Sequence, residues 1–236
     1  MRKVIGIGET ILDIIFRNEQ PSAAVPGGSV FNGIVSLSRT GVPVCFISET
    51  GNDHVGNIIL RFMRDNHIST DYVNVFPDGK SPVSLAFLDD NSDAEYIFYK
   101  DYPKQRLDVI YPKLEEDDIV VIGSYYALNP VLREKVLELL DQAREKKAIV
   151  YYDPNFRSSH KEEAINWRRP LLKIWNTRTL YAARRTISSI CTTCAKQTRY
   201  TRTRLNSTVP ISYARQERKR LRSAPLPSPK NMTYRH

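Results

Sequence analysis

The chain has 236 residues, of which 41% are hydrophobic, a globular composition that suffices for one domain with a useful core or for two small ones. No apolar run reaches the length of a membrane span, and Met1 leads directly into strand-like sequence, so we expect neither a membrane segment nor a signal peptide. Three cysteines do not make a disulfide framework, and we therefore expect a reducing, cytoplasmic location.

The charge is unevenly distributed along the chain. Its net value of +9 combines an acidic region, residues 1–167, with a strongly basic one, residues 168–236. The first region holds 25 acidic and 18 basic residues, whereas the second holds 17 basic residues and a single acid, Glu217. This asymmetry predicts two segments of different character, divided at about residue 167.

Strands and helices alternate through the first region. Buried strands are predicted at residues 4–8, 44–48, 119–123 and 148–152, and helices after Gly28, after Asp53 and over residues 131–147. Ser29 and Asp53 are the predicted N-caps, and Gly41 the predicted end of the first helix. Residues 72–98 change to a period of two, which predicts three further strands. The alternation favours an α/β fold with a parallel sheet covered on both faces.

The stretch Gly27-Gly28-Ser29 is the first candidate for a binding site. Two adjacent glycines carry no Cβ, so a ligand can approach the backbone closely. Asn32 follows within the first turn of the predicted helix, beside unpaired N–H groups. This arrangement suits a hydroxylated or anionic small molecule. An ordinary loop-to-helix junction is the alternative reading.

Four motifs in order resemble the ribokinase/PfkB carbohydrate kinases over residues 1 to about 166. They are Gly8-Glu9 with Asp13, Gly27-Gly28 with Asn32, Gly51-Asn52-Asp53 with Gly56, and Asp153-Pro154-Asn155-Phe156-Arg157. The last is similar to the fructokinase branch and its 2-keto-3-deoxygluconate kinase relatives. The resemblance implies a Rossmann-like ribokinase fold with a small β lid. It also implies transfer of the γ-phosphate of ATP to a sugar hydroxyl with Mg²⁺, and it is compatible with a homodimer formed through the lid.

The resemblance also implies roles for individual residues. Asp13 would accept hydrogen bonds from sugar hydroxyls, Gly27 and Gly28 would let the sugar lie against the backbone, and Asn32 would supply a donor and an acceptor. The other implied residues cover the sugar (Tyr96 and Phe98), orient the site (Asn155) and meet the phosphoryl group or an acidic substrate group (Arg157). The open alternatives are a turn residue for Asp13, plain core for Tyr96 and Phe98, and a surface ion pair for Arg157.

Residues 168–236 depart from the family pattern. The expected Asn-X-X-Glu and Gly-Ala-Gly-Asp elements, the second of which carries the catalytic base, do not occur there, and the segment has no glycine. We therefore expect this segment to be disordered and unable to complete a parallel sheet, and the chain as written to be inactive. A one-base shift permits Lys173 to Tyr181 to read ENLEYADIV, a family-like sequence. This predicts a change of reading frame between Asn166 and Arg169.

Other functions stay open from the sequence. A non-catalytic sugar-binding fragment with a basic tail is the main alternative. Nucleic-acid binding by the basic segment is disfavoured, because aromatic residues are sparse and no basic helix stripe repeats. Cys191 and Cys194 have the spacing of a zinc knuckle, but a second ligand pair at suitable spacing is missing, so we predict no metal site.

Overall fold

The computed structural model describes residues 2–89 and 94–153, together with the backbone of residues 179–181. The predicted site residues Asn155 and Arg157, the predicted disorder and the proposed change of frame lie outside the described residues. The strands are β1 (Val4–Ile7), β2 (Ile11–Arg17), β3 (Gln20–Gly27), β4 (Val44–Gly51), β5 (Val73–Phe76), β6 (Lys80–Leu88), β7 (Ala94–Asp101), β8 (Ile119–Gly123), β9 (Ile149–Asp153) and β10 (Thr179–Tyr181). The helices are α1 (Ser29–Arg39), α2 (His54–Asp65), α3 (Arg133–Glu145) and a 3₁₀ helix (Tyr125–Leu128).

The larger sheet confirms the predicted α/β class. Its strand order is β10-β9-β8-β1-β4-β5, and each neighbouring pair is parallel. Successive residues of the central strand β1 contribute to cores on opposite faces, because side chains alternate along a strand. Val4 packs with α1 and α2 residues, such as Phe31 and Ile59, whereas Ile5 packs with α3 residues, such as Leu139. Helices therefore cover both faces.

The smaller sheet is the predicted lid, with strand order β3-β2-β6-β7. Its β2–β6 pair is parallel, and its two outer pairs are antiparallel. The three strands predicted from the period of two are divided between the sheets, since β5 pairs with β4 and only β6 and β7 join the lid. The other lid strands form the hairpin β2–β3, which the sequence pattern did not indicate as a pair.

One prediction about local structure is wrong. Ser29 is the first residue of α1 and not its N-cap; Gly28 takes the cap position with a φ of 142°, a value that favours glycine. Beyond residue 168, β10 pairs with β9 from Thr179 opposite Val150 to Tyr181 opposite Tyr152, which adds one strand to the parallel sheet. Backbone hydrogen bonding along an open strand edge makes few demands on side chains, so composition did not reveal it. That the segment cannot complete the sheet stays a prediction.

Candidate functional site

Asp13 lies in the middle of lid strand β2, which excludes the reading of this residue as part of a turn. Its neighbours across the sheet are Val25 on β3 and Ser84 on β6. The Ser84 hydroxyl donates to Asp13 Oδ1 over 2.5 Å. Ser84 is completely buried, whereas Asp13 is half-buried. The lid thus fixes the carboxylate from one side and leaves part of it at the surface.

The two glycines lie where the lid meets helix α1. A Cβ added to Gly27 would stand 2.5 Å from Asp13 Oδ2, and one added to Gly28 would collide with the Glu9 carbonyl oxygen. Real Cβ atoms do not approach other heavy atoms this closely. Both positions therefore require glycine for packing, because the turn lies directly against Asp13 at position 27 and against Glu9 at position 28.

Helix α1 begins directly after these glycines. No side chain in the described part of the chain caps its N-terminus at Gly28. Asn32, in the first turn, donates its backbone N–H to the Gly28 carbonyl over 2.9 Å and has an exposed side chain. Free N–H groups at a helix start attract hydroxyl oxygens and anions. The predicted positions of Gly27, Gly28 and Asn32 thus fit a polar ligand at the helix start.

Tyr96 and Phe98 form an aromatic pair on lid strand β7. Their rings are stacked, with centroids 5.8 Å apart and an interplanar angle of 7°. Phe98 lies opposite Ser84, so it shares a sheet face with Asp13. The Phe98 side chain is 50% exposed, which excludes the alternative of plain core for this residue. The pair provides an apolar surface on the same face of the lid as the Asp13 carboxylate.

The structure brings the chain to the carboxyl edge of the large sheet just before the last predicted site residues. Strand β9 ends at Asp153, whose carbonyl accepts a hydrogen bond from Ser124 N over 2.8 Å. Ligands of open parallel sheets bind at this edge. The roles of Asn155 and Arg157 remain predictions.

A buried polar cluster around Glu49 was not predicted. The Glu49 side chain is 1% exposed and pairs with Arg106, which is 7% exposed. Arg106 Nε donates to Glu49 Oε1 over 2.8 Å, and Leu107 N donates to Oε2 over 3.0 Å. The Tyr126 hydroxyl donates to Oε1 over 3.3 Å. The available signal was an acidic residue in the strand that begins with the apolar run of residues 44–47.

Electrostatics keep the Arg106 guanidinium charged and the Tyr126 hydroxyl protonated. Burial alone would lower the pKa of Arg106, but the hydrogen bonds and negative charge of Glu49 outweigh it and raise the pKa. Complete burial raises the pKa of Tyr126 well above its ordinary value, and the nearby Glu49 charge adds to this effect. Arg106 and Tyr126 therefore act as donors to a charged carboxylate at the edge where β1, β4 and β8 end.

Glu9 was quoted in a motif but given no role by the sequence reasoning. Its carboxylate accepts hydrogen bonds from Lys100 Nζ over 2.8 Å and from the Tyr102 hydroxyl over 2.5 Å. Lys100 Nζ also lies 5.1 Å from the centroid of the Phe98 ring. Glu9 therefore connects the strand that carries the aromatic pair to the chain just after β1.

Asp53 confirms its predicted role as the N-cap of α2 and has a second one. Its Oδ1 accepts from Gly56 N over 2.8 Å, which is the cap, and from the Ser81 hydroxyl over 2.7 Å. Its Oδ2 accepts from Ser81 N over 2.8 Å. Because Ser81 belongs to lid strand β6, this carboxylate joins the helix start to the lid. The Gly51-Asn52-Asp53 motif is thus a structural junction.

Two negative observations apply to the described residues. Within 2–89, 94–153 and 179–181, no helix has the length and apolar character needed to cross a membrane. In the same part of the chain, no group of three or more His, Cys, Asp or Glu side chains could hold a metal ion.

The fold is similar to that of solved sugar kinases. The structure is similar to the apo crystal structure of fructokinase from Vibrio cholerae O395, with a TM-score of 0.62 and 21% identity over 73% of this chain and 60% of that one. Another crystal structure of that fructokinase contains fructose, ADP and a calcium ion. Together with the sheet order, this similarity places the chain in the class of ribokinase-like α/β folds with a β lid.

Sequence comparison gives the family. Residues 1–176 match the profile of the pfkB family carbohydrate kinases, and the chain belongs to that family. It is 24% identical to probable fructokinase-6, chloroplastic, of Arabidopsis thaliana over 185 residues, which cover 74% of this chain and 48% of the relative. It is 27% identical to fructokinase-1 of Zea mays over 189 residues, 73% of this chain and 57% of the relative. The chain thus spans about half the length of these curated relatives.

Proposed function

We propose that this chain is the sugar-binding part of a fructokinase-like kinase that transfers the γ-phosphate of ATP to a sugar hydroxyl. The observation that carries the proposal is the Asp13 carboxylate, held by Ser84, in contact with Gly27 and next to the uncapped start of α1. Family membership over residues 1–176 supports the same reaction class.

The chemistry of the site suits a neutral polyhydroxylated ligand. A carboxylate offers about four acceptor positions, so Asp13 can accept from Ser84 and from neighbouring sugar hydroxyls at the same time. Asn32, on the first turn of α1, can both donate and accept. The half-exposed Phe98 ring suits the apolar face of a sugar ring. Fructose is the proposed substrate, since the curated relatives are fructokinases and one related crystal structure contains fructose.

We propose that the binding sites for ATP and Mg²⁺ lie in parts of the full kinase beyond the described residues. When bound, ATP supplies the phosphoryl group, and Mg²⁺ neutralises its developing charge. No glycine occurs after Gly123, so the chain as written lacks a Gly-Ala-Gly-Asp element. We accordingly propose that the chain binds sugar and does not turn it over.

A change of reading frame accounts for this loss. In the shifted reading ENLEYADIV, the strand-forming residues Ile and Val fall at positions 180 and 181, where the structure has strand β10. The family match extends to residue 176, a few residues beyond the proposed change of frame between Asn166 and Arg169. Sequencing the gene across codons 160–180 in all three frames tests this account. A downstream frame without a Gly-Ala-Gly-Asp element would contradict it.

Two measurements test the proposed function. Calorimetric titration should show fructose binding to the 236-residue chain, and a coupled ADP-release assay with ATP and Mg²⁺ should show no turnover. The reframed gene product should turn over fructose. Turnover by the 236-residue chain would contradict the proposed inactivity, and absence of fructose binding would contradict the proposed site. Salt-sensitive binding to arbitrary DNA would favour the nucleic-acid alternative instead.

The outer face of the lid supports the proposed homodimer. Ile97 is 44% and Tyr99 57% exposed, and both share a face with the stacked pair Phe16 and Phe87, whose ring centroids are 4.8 Å apart. Apolar area of this kind is typical of protein contact surfaces. Sedimentation velocity should show a dimer that Tyr99→Lys dissociates.

The proposed cytoplasmic location rests on cysteine content alone, and imaging of a tagged chain tests it.

A further inference from the structure

We propose that Glu9 is a positioning residue that ties the aromatic cover of the sugar site to the glycine turn. This inference rests on the proposed function, because it concerns the same site. Glu9 follows the central strand β1 and makes contacts in two directions. Its backbone faces the turn before helix α1, and its side chain faces lid strand β7.

The backbone contact is a close approach to Gly28. A Cβ at position 28 would collide with the Glu9 carbonyl oxygen, so the two segments touch without an intervening side chain. Any displacement of Glu9 is therefore transmitted directly to the start of α1. That start carries the N–H groups and the Asn32 side chain assigned to the ligand.

The side-chain contact is an ion pair with the lid. Lys100 Nζ lies 2.8 Å from the Glu9 carboxylate, and the two side chains are 36% and 23% exposed. The same ammonium group lies 5.1 Å from the Phe98 centroid, a favourable cation–π distance. Phe98 in turn stacks on Tyr96. Glu9 thus restrains, through one amine, the half-exposed ring that covers the site.

A second contact anchors Glu9 to the buried part of the protein. Burial raises the pKa of the Tyr102 hydroxyl, and the negative charge of Glu9 raises it further, so Tyr102 remains a proton donor to this carboxylate. The Arg106 guanidinium lies 3.4 Å from the centroid of the Tyr102 ring. Since Arg106 pairs with buried Glu49, this sequence of contacts connects the lid to strand β4.

The first test is amide hydrogen exchange on the 236-residue chain. Glu9→Gln keeps the shape of the side chain and an acceptor for Tyr102, but it removes the charge that holds Lys100. We expect exchange in residues 94–101 and 26–32 to accelerate about fivefold, at the lower end of coupling between sites, while residues 119–123 exchange as before. Lys100→Met, a change at a partly exposed position, should accelerate the same segments. Unchanged exchange in residues 94–101 with either variant overturns the inference.

The second test is fructose affinity, measured by calorimetric titration. Glu9→Gln and Lys100→Met should each weaken binding about fivefold, and the double variant should be no weaker than either single one, because both remove the same interaction. The control is Glu95→Gln, which removes an exposed carboxylate from the same strand and should leave affinity unchanged. Additive losses overturn the inference. Lack of fructose binding by the wild-type chain contradicts the proposed function, and hydrogen exchange still decides the role of Glu9.

Discussion

The Asp13 carboxylate lies so close to the α-carbon of Gly27 that a Cβ there would stand 2.5 Å from Oδ2. The carboxylate and the turn therefore share one space, and a side chain at position 27 must displace one of them. We predict that Gly27→Ala weakens fructose binding at least about tenfold, because a shift of about 1 Å is costly in an oriented site. Calorimetric titration measures this loss.

Gly33 provides the matched control for that substitution. It lies in α1, and an added Cβ would have nothing within 4 Å. Gly33→Ala should therefore stabilise the protein by about 0.5–1 kcal/mol, since alanine is the better helix former, and leave fructose affinity unchanged. Equal effects of the two substitutions on affinity would contradict the special role of position 27.

Asp13→Asn tests the charge of the carboxylate separately from its shape. Hydrogen bonds to a charged group contribute about 1.5–3 kcal/mol, so loss of one such bond to a sugar hydroxyl should weaken fructose binding by about one to two powers of ten. Ser84→Ala removes a donor to Asp13 but keeps the charge, and its effect should be smaller. An Asp13→Asn variant with wild-type affinity would show that the sugar binds elsewhere.

Arg106→Met should destabilise the protein strongly. The substitution leaves the Glu49 carboxylate, which is 1% exposed, without its charged partner, and breaking a buried pair costs about 3–5 kcal/mol. Urea denaturation followed by circular dichroism measures this change. Arg144→Met is the control, because the Arg144–Asp141 pair is 62% exposed on both sides and should contribute less than about 1 kcal/mol. If Arg106→Met lowered the free energy of unfolding as little as Arg144→Met, Glu49 would have found another partner.

Asp53 should make stability depend on pH in the acid range. Burial acts to raise the pKa of Asp53, but hydrogen bonds from Gly56 N, Ser81 N and the Ser81 hydroxyl outweigh it, so the pKa lies below the ordinary 3.8. The ionised group therefore stabilises the fold above that ordinary value, and this contribution is lost as the pH falls through the lowered pKa. The free energy of unfolding, followed from pH 6 to 2, should fall less steeply for Asp53→Asn than for the wild type. Parallel curves would contradict this.

The sequence predicted the parts of the fold that local patterns determine. The apolar runs of β1, β4, β8 and β9 and the Asp53 cap are confirmed, because burial and capping leave a direct trace in residue type. The hairpin β2–β3 was missed because Gln20–Gly27 is mostly exposed and contains two prolines, so it lacks the usual alternation. The sheet that this hairpin joins also depends on β6, which is distant in the chain.

The sequence identified only those candidate site residues that belong to motifs or to the lid strands. Asp13 and Gly27, which the motifs named, lie against each other in the structure, whereas the contacts of Glu9 with Lys100 and Tyr102 join residues more than 90 positions apart. Such pairs are set by topology and not by spacing. The assignment of Ser29 as a cap failed because a serine at that position satisfies composition rules, while the backbone conformation at Gly28 decides where the helix begins.

The parallel pairing of β2 with β6 affects how the chain folds during synthesis. Asp13 and its partner Ser84 are 71 residues apart, so the hairpin β2–β3 is made long before the strand that completes its sheet. A ribosome adds about 5–20 residues per second, which leaves this hairpin waiting for several seconds at least. During that interval its apolar side chains lack the neighbouring strand β6, whose Phe87 stacks on Phe16 in the folded protein. We expect nascent chains that stall before residue 80 to bind chaperones that recognise apolar strands. Chains that stall after residue 101 has left the exit tunnel should no longer bind these chaperones.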